Sequence, residues 1–122
     1  MEINSIIQLV EKKAAEIAAQ EISDYSKSFP EINLTEEAKE AVKVRSLSQL
    51  TLQLSKFRFK EDLELEDQFN SWFEANEEDD LRKACRHCLD SEAKKIRESA
   101  KGKMSSLDSY LKRHLGDAHQ ID

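Results

Sequence analysis

Between Leu81 and Leu115 the chain carries an apolar stripe that only a long helix can use. Leu81, Cys85, Cys88, Glu92, Ile96, Ala100, Met104, Leu107, Leu111 and Leu115 follow one another at steps of three or four, with Glu92 the one polar interruption. Steps of three and four bracket the helical turn, so these positions share one face. Asn76 offers an N-cap, and Glu77, Glu78, Asp79 and Asp80 place four acids at the positive end of the helix dipole. Gly102 costs about 1 kcal/mol in a helix interior but does not shift the phase, which favours continuity over the alternative of a turn there with Ser105 or Ser106 capping a new helix, and Gly116 can serve as a C-terminal cap. The pattern predicts one helix over about residues 77–115, roughly 58 Å long at about 1.5 Å per residue. A single 122-residue domain is narrower than that, so part of the stripe needs a partner chain. A homodimer is therefore expected, self-associating through Leu81, Cys85, Cys88, Ile96, Met104, Leu107, Leu111 and Leu115.

The rest of the chain also reads as helix. With 2 Gly and 1 Pro there is little punctuation for a sheet protein. Ile3, Ile7, Val10, Ala14 and Ile17 predict a helix over about 2–27, with Glu11, Lys12, Lys13, Glu16 and Glu21 assigned to its other face. Pro30 ends that pattern. A second helix opens with Thr35 as N-cap, Glu36 and Glu37 in its first turn, and Ala38, Ala41 and Val42 beginning an apolar face. Its far end is ambiguous. Leu50, Leu52 and Leu54, then Phe57 and Phe59, alternate as a strand does, while Leu47, Leu50, Leu54 and Phe57 also form a helical stripe. No Gly, Asn or Asp separates the alternating pieces, so we read a helix buried on two sides, with a small β-hairpin over about 49–60 as the alternative. A short third helix, about Leu63 to Ala75, presents Leu65, Phe69, Trp72 and Phe73. The expected fold is all-α: about four helices in an elongated bundle, one domain over 1–116 and a flexible tail over 117–122.

Several function classes find no support. The charged Glu2 and the interrupted apolar run argue against a signal peptide, and no run is long enough to span a bilayer, so a cytoplasmic protein is expected. There is no phosphate loop, no nucleophile motif and no helical His-Glu-x-x-His, and no enzyme and no cofactor are expected. The segment "RKACRHCLDS" is the one that resembles chemistry. Cys85 and Cys88 with His114 and His119 have zinc-like pair spacings, but a continuous helix separates the two pairs by about 43 Å. A redox pair calls for a helix start after a strand, which is lacking here. The plainer reading makes both cysteines small hydrophobes at a helix contact.

Charge is segregated beneath a net of −6. Residues 41–60 carry five bases and no acid, residues 61–80 ten acids and no base, and residues 81–115 ten bases against four acids. Acidic and basic segments can face each other within the fold or across a dimer. The acids Glu61, Asp62, Glu64, Glu66, Asp67, Glu77, Glu78, Asp79 and Asp80 can instead dock a basic protein partner, or mimic nucleic acid toward a protein that binds it. The sequence thus predicts a non-enzymatic interaction or inhibitor module acting through charged surfaces. The alternative is a nucleic-acid-binding protein using Lys94, Lys95, Arg97, Lys101 and Lys103 on the basic face of helix 81–113, a reading opposed by the sequence pI of about 5.2. A small zinc-binding module comes third.

Overall fold

In a computed structural model the chain is all-helical apart from the connections at 29–35 and 55–64, with no strand among the described residues; the structure describes the backbone of residues 3–121 and the side chains of 4–100. Helix α1 spans Ile3–Ser28, α2 spans Glu36–Leu54, α3 spans Leu65–Trp72 and α4 spans Glu78–Ile121. A single π turn, Phe73–Glu77, joins α3 to α4 without leaving helical backbone. The described residues therefore form three helical bodies, where the sequence predicts four. Asn76 does not cap a new helix; it lies inside the π turn. The long helix continues through Gly102 and past Gly116, where a cap was expected. None of the described helices is long and apolar enough to cross a membrane.

The π turn has a packing cause. Phe69 and Phe73 are four residues apart, as are Leu81, Cys85 and Leu89, and all five are buried. Each step of four overshoots the helical repeat by about 40°, so an unbroken series of such steps winds off any face. The eight residues from Phe73 to Leu81 would add about 80° more in a plain α-helix. A π turn absorbs one extra residue, which resets the phase by about 100° and returns Leu81 to the side that holds Phe73.

Helices α1, α2 and the long rod meet along a line of small side chains. Ala14 and Ala18 on α1, Ser46 on α2 and Cys85 on α4 are all fully or almost fully buried, which lets the backbones approach closely. The buried Ser46 hydroxyl donates to the Ala14 carbonyl at 2.7 Å, tying α2 to α1. Around this line pack Val10 and Ile17, Val42 and Leu50, and Leu81 and Leu89, with Phe69 and Phe73 closing one end. Thr35 caps α2 as expected, its hydroxyl accepting from the Ala38 amide at 3.0 Å. Helix α2 ends at Leu54, so residues 55–60 are neither the continued helix nor the hairpin considered above. Nor is its last stretch buried on two sides: Leu52 is 62% exposed, and Ser46, not Leu47, takes the core position because the close crossing leaves room only for a small residue.

Candidate functional site

The 55–64 connection and α3 together enclose a groove of about 780 Å³. Its floor is aromatic. The Phe57 ring lies 5.2 Å from Trp72 and 4.8 Å from Phe59, the latter edge to face. Phe57 thus meets α3 through Trp72, while Phe59 stacks edge-on against Phe57 and packs toward the core. The wall is held by one side chain, Gln68. Its amide oxygen accepts from the Lys60 backbone N–H at 2.7 Å, and its Nε2 donates to the carbonyls of Lys60 at 2.7 Å and Leu63 at 3.0 Å. The bonds satisfy backbone groups that a loop without repeating structure would otherwise leave to water. Leu63, on the wall, remains 55% exposed.

The groove is rimmed by Asp62, Glu64, Asp67 and Glu77, against Arg58 and Lys60. Of the sequence-predicted acidic surface, Glu61, Asp62, Glu64, Glu66, Asp67, Asp79 and Asp80 are exposed and make no ion pair with another described residue. Two acids have structural duties instead. Glu77 accepts from Gln53 Nε2 at both its carbonyl (3.0 Å) and its carboxylate (2.8 Å), and Glu78 pairs with Arg82 at 3.1 Å.

The predicted self-association residues divide into three groups. Leu81 and Cys85 are fully buried against α1 and α2, so their surface is consumed within the chain and is not available to a second copy. Cys88 and Ile96 are half-buried, and the face that α4 turns to the bundle runs Leu81, Cys85, Leu89 and Ala93 rather than through Cys88 and Glu92. The steps of four from Cys85 to Leu89 and Ala93 were the available signal for this choice. Met104, Leu107, Leu111 and Leu115 have side chains outside the described residues, as do Lys101, Lys103, His114 and His119. Of the basic set, Lys94, Lys95 and Arg97 are exposed, with Lys95 paired to Glu92 at 3.2 Å.

The cysteines do not form a reactive pair. Burial pushes both thiols above the ordinary cysteine range; at Cys85 the Ser46 hydroxyl opposes this only in part. Both thiols are therefore held protonated more firmly than a free cysteine and are poorer nucleophiles. No group of metal-ligating side chains occurs among the described residues. The continuous α4 also places Cys85 and His114 about 43 Å apart along its axis, so the Cys85, Cys88, His114 and His119 set cannot close on one ion within a chain.

One constellation is absent from the sequence reading. Glu21, assigned there to a solvated face, is only 5% exposed. Its carboxylate accepts from Arg82 at 3.1 Å and from Arg86 at 3.2 and 3.4 Å. Arg82 also donates to Glu78 at 3.1 Å and to Gln20 at 2.6 Å. Burial alone would lower the Arg82 pKa, but the bonds from Glu21 and Glu78 outweigh it and raise it. The three Arg82 nitrogens and two of the three on Arg86 donate to side chains of α1 or of α4 itself, which makes the cluster a clamp between α1 and α4. Compared with protein-family models, curated proteins and solved structures, the chain matches none.

Proposed function

We propose that this chain is a non-enzymatic protein-interaction module. It offers the acidic, aromatic-floored surface around residues 61–80 to a basic partner, and it self-associates through the far part of α4. The observation that carries this reading is the contrast between two sets of charges. Glu21, Glu77 and Glu78 are satisfied by partners inside the fold, whereas Glu61, Asp62, Glu64, Glu66 and Asp67 cluster on the surface beside exposed apolar area with no described partner. Like charges held together destabilise a free protein slightly and become favourable when an oppositely charged surface arrives. Exposed apolar area beside such a cluster is the usual composition of a binding patch. An inhibitor acting by occupying a basic surface falls within the same reading.

The test compares wild type with a variant in which Glu61, Asp62, Glu64, Glu66 and Asp67 become their amides. A protein retained by immobilised wild type at low salt, released by salt and not retained by the variant, is the expected result. A salt-sensitive shift of labelled nucleic acid, abolished by Lys94→Glu, Lys95→Glu and Arg97→Glu, would overturn it in favour of nucleic-acid binding by α4.

A further inference from the structure

We propose that the groove between the 55–64 connection and α3 is the seat for the 101–115 segment of α4 from a second copy of this chain. The inference rests on the self-association reading above and names where that association occurs. It begins from complementarity. The groove has an aromatic floor of Phe57 and Trp72, and carboxylates outnumber bases on its rim. Residues 101–115 of the sequence carry Lys101, Lys103, Lys112 and Arg113 against the single acid Asp108, and they repeat Met104, Leu107, Leu111 and Leu115 at steps of three and four. An amphipathic basic helix laid into an apolar groove with an acidic rim is an established mode of helix recognition.

Geometry then decides which copy supplies the helix. Trp72 and Glu77 lie at the start of the rod, and the backbone is helical without a break from there to Ile121. Residue 101 is therefore about 36 Å beyond Glu77 along the axis, and residue 115 about 57 Å beyond it. A continuous helix cannot fold back over such a distance. The chain's own bundle does not accompany that segment either. Glu21 of α1 is level with Arg82 and Arg86, and Tyr25 lines one small pocket together with Arg86 and Asp90, so α1, which ends at Ser28, stops near the level of Ala93 to Arg97. The 29–35 turn and the start of α2 follow at that same end. About fourteen further residues of apolar-patterned helix, some 20 Å, then project past the bundle.

A two-fold arrangement satisfies both halves at once. With the two α4 helices antiparallel, each projecting segment reaches the groove of the other chain, giving two equivalent contacts and a closed dimer. The groove is ready-made, since the Gln68 bonds fix its wall before any partner arrives, so little ordering cost attends docking. A basic partner protein using the same surface would compete with the second copy.

The experiment uses full-length chains and light-scattering mass across a dilution series. A groove variant (D62K, E64K, D67K) and a segment variant (K101E, K103E, K112E, R113E) alter only charge. Wild type is expected to be a dimer of about twice 14.1 kDa. Each variant alone should dissociate at concentrations at least tenfold higher than wild type, with helical circular dichroism unchanged. Mixing the two should restore a dimer, because each new basic groove then meets an acidic segment and each remaining acidic groove meets a basic one. Trp72 is the only tryptophan, so its emission reports groove occupancy directly. It should shift to longer wavelength as wild type is diluted, and shift back when a synthetic 101–116 peptide is titrated onto the full-length segment variant. Dimers in both variants as tight as wild type, with no response of Trp72 to dilution or peptide, would overturn the proposal and leave self-association standing by another face. A wild type monomeric at every concentration would overturn both.

Discussion

Removing the Glu21 carboxylate should loosen the α1–α4 contact by an amount that the geometry sets. Glu21→Ala deletes the acceptor of one Arg82 bond and two Arg86 bonds. Stranding a buried charge outright costs about 3–5 kcal/mol, but neither arginine is stranded here. Arg82 keeps Glu78 at 3.1 Å and Gln20 at 2.6 Å, while Arg86 is more than half exposed and regains water. The Arg86 bonds therefore contribute little. The main loss is one charge-assisted bond of about 1.5–3 kcal/mol together with the packing of the buried Glu21 stem, and we expect about 2 kcal/mol in total. Glu21→Gln keeps the shape and one acceptor and should cost about half as much. In urea, with a slope of about 2 kcal/mol/M, the midpoint of Glu21→Ala should fall by about 1 M at fixed protein concentration and unchanged slope. A double-mutant cycle with Arg82→Ala should return a coupling of about 1–2 kcal/mol. Coupling below about 0.3 kcal/mol would refute the reasoning, since Glu21 would then be stabilising through its methylenes alone.

Three further outcomes concern Ser46 and the two cysteines. Ser46→Val adds bulk where α1, α2 and α4 meet and removes the bond to the Ala14 carbonyl, so it should destabilise by about 2–3 kcal/mol, against about 1 kcal/mol for Ser46→Ala, in the same urea assay. The two thiols should resist a disulfide exchange reagent in the native protein at pH 7.5 and react fully in urea, with Cys88 the faster of the two. Because burial raises both folded thiol pKa values, the native state holds its protons more tightly than the unfolded chain. Stability should then be level below about pH 8.5, the ordinary cysteine value, and decline as the pH rises above it. Melts of Cys88→Ser should show a smaller decline.

Periodicity made α1, the start of α2 and the long run of α4 legible, because burial of one face is what a 3.6-residue repeat records. Thr35 was legible as a cap for the same local reason. What escaped the sequence was set by contacts between distant residues. Glu21 looks like any surface acid until Arg82, sixty-one positions away, is placed beside it. Ser46 displaced Leu47 from the core because the helix crossing demanded a small side chain, and no local pattern states how closely two helices will approach. The acidic segment was readable as charge, but the groove it rims depends on Gln68 folding the 60–63 backbone against α3. The boundary expected at Asn76 failed for a related reason. A good cap sequence is only a local preference, and the continuous burial of Phe69, Phe73 and Leu81 overrode it.

The π turn at Phe73–Glu77 also means that the rod holds one residue more than an α-helix between those two anchors requires. Shortening the chain by the exposed Ala75 would leave Phe73 and Leu81 seven positions apart, nearly two full turns, and still on one side. Lengthening it by one there would turn everything beyond Leu81 about 100° away from α1 and α2. This point in the chain is thus asymmetric toward length change, tolerant of a loss and intolerant of a gain. A deletion scan along 66–90 should find its permissive window here, because deletions between Leu81 and Ala93 would rotate buried residues of the rod off the bundle.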